Sequence, residues 1–256
     1  MSRPWKAPVA VLFVAALAGG CGASSADVPP DAAPADAAID VAPVGRVVTW
    51  GSTGFQFRAD QVPFIGRVLA YLTEARQVGG VTRILYTWGC DPRTDAHLCL
   101  ISDDPTQVQP FLDMLAQAGE VDFRQPSESD LSQYSAVFAD FSGLEAAGEA
   151  RISDYIQARG RVLVVGDRAT ATSDHVFSAV RATTVTESLG LRYSTQDPSA
   201  HDILTIAPED QVGLLEGVSS IDTFRMVPQL IDHSFEPVMT MGNGDVLSAR
   251  LELQPL

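Results

Sequence analysis

Residues 134–140 (Tyr-Ser-Ala-Val-Phe-Ala-Asp) and residues 161–167 (Arg-Val-Leu-Val-Val-Gly-Asp) decide the fold of this chain. Each is a short apolar run that ends at an aspartate. Between them, Ile152, Tyr155 and Ile156 have helical spacing, and Gly160 follows as a terminator. Strands that are apolar on both faces are typical of the middle of a parallel sheet. The stretch therefore predicts a strand-helix-strand unit, whose helix would open at the capping box Ser142-Gly-Leu-Glu145.

The residues before this unit repeat the same alternation. Asp60 is expected to open a helix that ends near Gly79-Gly80, because apolar residues recur at helical spacing at Ile65, Val68, Leu69 and Leu72. Residues 82–88 predict a strand. A second helix is expected from Asp104-Pro105 to Gly119, with Val108, Phe111, Leu112 and Leu115 on one face, and residues 121–124 predict another strand. This order predicts a parallel sheet covered on both faces, with all strand C-termini at one rim.

The residues after the unit are expected to become β-rich. Residues 175–189 predict a helix that ends at Gly190. Residues 238–241 and 246–253 predict a hairpin with Asn243-Gly244 as a type I′ turn. The predicted fold class is α/β: a three-layer sandwich with a mainly parallel central sheet and a β-rich C-terminal part that ends in a hairpin.

The N-terminus predicts a secretory signal. Arg3 and Lys6 precede an apolar run over residues 7–17, which is too short to span a bilayer, and small residues lead to Cys21. Ala18-Gly19-Gly20-Cys21 resembles the bacterial lipobox, in which the cysteine is diacylated and becomes the new N-terminus. The lipobox prefers leucine at the place of Ala18. Gly22, by the same resemblance, favours the outer membrane over the inner one. The alternative is an ordinary signal peptide that leaves Cys21 free.

Composition divides the chain into three parts. Residues 1–21 are the predicted signal with its lipobox cysteine. Residues 22–45 are rich in Ala, Pro and Asp, which predicts a disordered tether extending about 3.1 Å per residue where proline dominates. Residues 46–256 are long enough for a single α/β domain.

Charge limits the possible partners. The formal net charge is −15, and loss of Arg3 and Lys6 with the signal would make it −17. Nucleic acid is not an expected partner, because phosphate binding requires clustered cations. The predicted partners are the membrane, through the lipid, and another envelope protein. No cofactor and no metal are predicted.

Cys90 and Cys99 are the two thiols that remain once Cys21 is acylated. A pair at loop spacing in an oxidising compartment predicts a disulfide. Asp91, Asp95 and His97 lie between them and allow a metal-binding interpretation, although zinc cysteines are usually separated by two or four residues. A cysteine nucleophile is the third interpretation, and it would require a nearby histidine.

Residues 82–193 resemble the class I glutamine amidotransferase-like fold, and more closely its non-enzymatic relatives in secreted bacterial proteins. Residues 134–140, 152–160 and 161–167 carry the resemblance. Enzymes of that family place a cysteine nucleophile in Gly-x-Cys-x-Gly after the strand that corresponds to residues 161–165. Here residues 165–169 are Val-Gly-Asp-Arg-Ala, without cysteine or serine. The family's His-x-Glu pair is also absent, since His201 precedes Asp-Ile and His233 precedes Ser-Phe. The resemblance therefore implies no amidotransferase chemistry.

Six residues are predicted near the C-terminal rim and are candidates for ligand binding: Trp88, Asp140, Asp167, Arg168, Asp174 and His175. Carboxylates with a histidine can hold a divalent cation or act as acid and base. Each also has a structural interpretation, such as packing for the tryptophan and capping or pairing for the aspartates.

The sequence leaves three functions open. The first is a membrane-tethered, non-catalytic binding or assembly module of the bacterial cell envelope. The second is a carboxylate-dependent or metal-dependent hydrolase at the rim. The third is a purely structural lipoprotein.

Overall fold

The computed structural model describes residues 44–51, 60–87, 105–141, 143–166, 178–194, 203–222 and 226–256, all of which lie in one compact unit. Its strands are β1 (Gly45–Trp50), β2 (Arg83–Tyr86), β3 (Glu120–Phe123), β4 (Ala136–Asp140), β5 (Arg161–Val165), β6 (Leu191–Tyr193), β7 (Ile203–Thr205), β8 (Ser220–Asp222), β9 (Gln229–Ile231), β10 (Glu236–Thr240) and β11 (Val246–Leu253). Its α-helices are α1 (Val62–Thr73), α2 (Pro105–Ala118), α3 (Ala146–Gln157) and α4 (Ser178–Thr186).

Nine of the described strands form one sheet with a parallel half and an antiparallel half. The order is β3-β2-β4-β5-β1-β11-β9-β6. Strand β10 is outside this order and pairs with the edge of β11 opposite β1. Neighbours from β3 to β1 are parallel, and every pair beyond β1 is antiparallel. The prediction of a mixed α/β protein with a largely parallel central sheet and a β-rich C-terminal part is confirmed.

Helices contribute to two separate hydrophobic clusters. Side chains of α1 and α2 belong to the first cluster, and those of α3 and α4 belong to the second. Strand β4 contributes alternately, with Phe138 in the first cluster and Val137 in the second, as expected of a strand buried on both faces. In the part of the chain that the structure describes, no helix has the length and apolarity needed to cross a membrane.

Strand β1 joins the two halves of the sheet, and no sequence pattern described above predicts it. It lies parallel to β5 and antiparallel to β11. The β1 residue Thr49 has a fully buried hydroxyl side chain. This hydroxyl donates to Gln229 Oε1 (2.7 Å) and accepts from Ala249 N (3.2 Å). Gln229 Nε2 in turn donates to the Leu247 carbonyl (3.1 Å). These bonds connect β1, β9 and β11 in one register.

The helix α1 has the predicted apolar face but ends earlier than predicted. Its last residue is Thr73, and Ala75 has a left-handed φ of 51°. The buried guanidinium of Arg161 donates to the carbonyls of Leu72 (3.1 Å) and Glu74, and also to that of Val44 (3.2 Å). These bonds satisfy carbonyls that the end of a helix leaves without partners. Gly79 and Gly80 instead form a turn between Val78 and Val81.

The guanidinium that binds these carbonyls has a lowered pKa. Arg161 is only 5 % exposed, and burial lowers the pKa of its guanidinium, as do the nearby charges of Arg46 and Arg76. Backbone carbonyls accept its hydrogen bonds, so its role in the described part of the domain is to fix α1 against the start of β5.

Helix α2 agrees with its prediction from Pro105 onward, whereas the predicted start of α3 is wrong. Helix α3 begins four residues after Ser142, and Glu145 occupies its N-cap without a side-chain capping bond. The Gln125 side chain replaces the capping box, because its Oε1 accepts from Glu145 N (3.1 Å) and its Nε2 donates to the Gly143 carbonyl (2.9 Å). The predicted inner face of Ile152, Tyr155 and Ile156 is buried.

The C-terminal elements confirm the predicted hairpin and helix but not the turn type. Strands β10 and β11 form the hairpin, and α4 continues through a 3₁₀ turn to Gly190, whose φ is 97°. A type I′ turn requires positive φ at both central residues, but Asn243 does not have one. The Met241 carbonyl accepts from Gly244 N, and the Asp245 carbonyl accepts from Met241 N (both 2.8 Å), which makes a longer loop with a glycine bulge.

Replacing Thr49 with valine is expected to lower the free energy of unfolding by about 1–3 kcal/mol, because Gln229 Oε1 and Ala249 N lose a buried partner. Urea denaturation followed by tryptophan fluorescence measures the change. The double variant Thr49→Val/Gln229→Met should recover part of the loss, since both partners are then apolar. The exposed Thr240→Val is the control and should change stability by less than about 0.5 kcal/mol. Equal losses for both threonines would contradict the role given to Thr49.

Candidate functional site

The C-terminal rim is the edge at which β3, β2, β4, β5 and β1 end. Strand order reverses between β2 and β4, since the chain goes from β2 outward to β3 and then returns to the other side of β2. Crevices at such reversals are the usual ligand sites of open α/β sheets. The rim is therefore the expected location of a functional site.

Backbone hydrogen bonds between neighbouring strands continue to the very ends of the strands at this rim. Thr87 N donates to the Phe138 carbonyl (3.0 Å), Phe141 N to the Val165 carbonyl (2.9 Å), and Gly166 N to the Trp50 carbonyl (3.1 Å). Asp140, the last residue of β4, is buried, and so are Thr87 and Gly166, which directly follow β2 and β5. In this part of the rim, the strand ends are therefore hydrogen-bonded to one another.

Asp140 is the one predicted rim residue that the described part of the chain contains. Its side chain is fully buried, its N donates to Thr87 Oγ1 (3.1 Å), and its carbonyl accepts from Gly143 N (3.3 Å) and Leu144 N (3.1 Å). The structure thus places Thr87 beside Asp140, at the strand-order reversal. Thr87 was not predicted as a rim residue, and its place after residues 82–86 is the signal that would have identified it.

The other candidates lie outside the described residues. These are Trp88, Asp167, Arg168, Asp174 and His175, together with the lipidation and disulfide candidates Cys21, Cys90 and Cys99. Whether they converge on one point stays a prediction. Across the ranges that the structure does describe, no group of three or more His, Cys, Asp or Glu residues is arranged to hold a metal ion.

The end of β1 is closed by the antiparallel half of the sheet. Gly51 donates from N to the Leu247 carbonyl (3.1 Å), and its own carbonyl accepts from Val227 N (2.6 Å). A Cβ at Gly51 would lie 2.2 Å from the Val227 oxygen, so only glycine permits this approach. No local pattern predicts this contact, because the two residues are far apart along the chain.

Trp50 Nε1 and Gln61 Oε1 are buried polar atoms that have no hydrogen-bond partner among the described residues. Both side chains are fully buried. Tyr193, by contrast, donates from its hydroxyl to the Val164 carbonyl (2.9 Å), and its burial raises the pKa of that hydroxyl. Its phenol is therefore neutral at physiological pH and acts as a hydrogen-bond donor to β5.

A recess lies apart from the rim, between β7 and β10. Its volume is about 410 Å³, which is within the range of small-ligand sites. The floor consists of buried apolar side chains that also belong to the first hydrophobic cluster, among them Ile206, Leu214 and Met239. Its charged members are Asp210, Glu236 and Arg250. No sequence pattern predicts this recess, because it forms between two β-segments that are distant along the chain.

We expect Asp140→Ala to lower the free energy of unfolding by about 1–3 kcal/mol, because the variant removes the carboxyl group from a fully buried position and leaves a cavity there. Asp113→Ala is the control, since Asp113 is exposed and only accepts from Gln109 within α2. Chemical denaturation measures both. If the two variants were equally stable, Asp140 would not be part of the rim's internal structure.

Comparison with known proteins adds no relationship: no family model, no curated protein and no solved structure matches this chain.

Proposed function

We propose that this protein is a lipid-anchored, non-catalytic binding or assembly module of the bacterial cell envelope, held at the outer membrane by Cys21 and the tether over residues 22–45. Its partner is another envelope protein. The anchor rests on the lipobox-like residues 18–21, and the binding role rests on the recess between β7 and β10.

The proposal includes a three-layer arrangement of the domain. Side chains of α1 and α2 pack in one hydrophobic cluster and those of α3 and α4 in the other, while β4 contributes to both in alternation. Helices that cover opposite faces of one parallel sheet would produce this division.

One observation supports the non-catalytic part of the proposal: the described residues at the rim ends of β2, β4 and β5 are buried, and their backbone is hydrogen-bonded to the neighbouring strands. Thr87, Asp140 and Gly166 are buried there, and Gly51 is covered by Val227. A catalytic group must reach a bound substrate at hydrogen-bond distance. The sequence after β5 also lacks the cysteine of amidotransferase-like enzymes.

Hydrolysis at the rim is the competing function, and it would use the predicted rim residues Asp140, Asp167, Asp174 and His175. We expect the purified protein to hydrolyse p-nitrophenyl acetate, p-nitrophenyl phosphate and casein no faster than the buffer, with or without added Mg²⁺, Ca²⁺ or Zn²⁺. Asp167→Ala should behave identically and keep the circular dichroism spectrum of the original chain. Hydrolysis above background that Asp167→Ala abolishes and Asp113→Ala preserves would overturn the non-catalytic assignment.

The anchor has a separate test. When the full chain is expressed in a Gram-negative bacterium, we expect it in the outer-membrane fraction, with the mass of a diacylglyceryl group on Cys21. Cys21→Ser should move the protein to the soluble fraction, because one or more acyl chains no longer hold it to the bilayer. Ser24→Ala, in the adjoining tether, is the matched control and should remain in the membrane. A mature N-terminus at another residue without lipid would disprove the anchor.

A further inference from the structure

We propose that the recess between β7 and β10 binds an extended peptide segment of the partner protein, with alternating apolar and basic side chains, which pairs with β7 as an added strand. The inference rests on the proposed function, because it names the chemistry of the partner that the binding module takes.

The recess separates the outer edges of two strands. Within the described residues, β7 pairs with β8 alone and β10 pairs with β11 alone. All residues of β10 line the recess, while β8 contributes none and β11 contributes only Arg250. The recess is therefore bordered by β7 and β10, whereas their pairing partners contribute no residue in the case of β8 and only Arg250 in the case of β11.

The backbone of β7 offers a hydrogen-bonding position to this space. Ile206 N donates to the Ser219 carbonyl (2.9 Å), so Ile206 and Ser219 form a hydrogen-bonded pair of the antiparallel ladder. Such pairs alternate with pairs whose N–H and C=O point away from each other. Thr205, opposite Ser220, occupies the second kind of position. Its N–H and C=O therefore point away from β8, and because Thr205 lines the recess, an extended peptide residue bound there would pair with both.

Strand β10 offers side chains rather than ladder bonds. Pro237 has no N–H, and the pairing of β10 with β11 shifts register on both sides of Met239. Proline and bulges are devices that prevent another strand from pairing with an edge. An incoming strand would therefore hydrogen-bond to β7 and pack its other side on Val238 and Met239.

The floor of the recess is preformed and apolar. Ile206, Leu214 and Met239 are 7 %, 7 % and 2 % exposed, and all three belong to the hydrophobic cluster that contains α1. Alternate side chains of an added strand point to the same face. Every second residue of the peptide would enter this floor, which is how strand-addition sites obtain specificity.

Charge determines which side chains occupy the remaining positions. Arg250 Nη2 is already paired with Glu236 Oε2 at 2.7 Å, so the exposed carboxylate of Asp210 leaves the lining with a net negative charge. The chain as a whole carries −15. Basic residues are therefore favoured at the outward positions. The acidic tether, with Asp27, Asp31, Asp36 and Asp40, is disfavoured as an occupant by the same charge.

Fluorescence anisotropy of the full chain in detergent micelles, with the fluorescein-labelled heptapeptide Arg-Val-Arg-Val-Arg-Val-Arg as the probe, tests the proposal. Saturable binding is expected, and it should weaken as salt increases. Replacing every arginine of the probe with glutamate should weaken binding by about tenfold or more, because like charges then meet. Replacing the central valine with proline should have a similar effect, because proline lacks the N–H needed for strand pairing.

Variants of one exposed residue locate the site. Val212 lines the recess and is 67 % exposed, so its replacement should leave the fold intact. Val212→Arg should weaken probe binding by about tenfold, whereas Val212→Glu should preserve or strengthen it. Leu230→Arg is the matched control, because Leu230 is equally exposed on β9 and does not line the recess, and it should bind as the original chain does.

Equal affinity for the arginine and glutamate probes, no saturable binding, or indifference to Val212→Arg would each overturn the inference. Tighter binding of a peptide with the sequence of residues 26–42, or dimerisation of the chain that Val212→Arg abolishes, would overturn it in favour of the tether or of a second copy. None of these outcomes changes the membrane fraction or the hydrolysis rate, so failure of this inference is distinguishable from failure of the proposed function.

Discussion

The insertion of β1 between β5 and β11 is the constraint on which the rest of the structure depends. Its backbone pairs in opposite senses on its two sides, and this joins the parallel half of the sheet to the antiparallel half. Thr49 fixes the register through Gln229 and Ala249, in a fully buried set of hydrogen bonds. A slip of one residue would turn Thr49 toward the opposite hydrophobic cluster and leave these polar groups unpaired.

The two ends of this sheet have different properties. At the end where β1 and β5 begin, Arg161 binds carbonyls of α1 and of Val44, so the start of the domain is fixed to a helix end. At the opposite end, strand termini pair with one another, and Val227 covers Gly51. The described part of the fold thus uses the usual ligand-binding edge for internal bonding. A recess with an apolar floor lies instead between the short strands β7 and β10.

Much of the parallel half was predictable because its signals are local. The apolar runs of β4 and β5 and the faces of α1 and α3 are visible in a few consecutive residues, and the structure agrees with them. The errors have tertiary causes. Arg161 ends α1 before its predicted end, and Gln125 replaces the predicted capping box of α3. Strand β1 was missed because it has six residues and no adjoining helix to establish the alternation. Of the predicted rim residues, Asp140 was correctly placed at a strand end, while Thr87 beside it was overlooked.

The sequence by itself determined the class of the domain, the parallel order of strands and helices, and the buried faces, because hydrophobic periodicity follows local backbone geometry. It also supplied the residues on which the proposed anchor depends. Tertiary structure alone decided that β1 lies between β5 and β11, that Val227 closes Gly51, and that β7 and β10 border a recess. These are contacts between residues far apart in the chain. No periodicity records them, because each side of such a contact is compatible with many partners until the chain has folded.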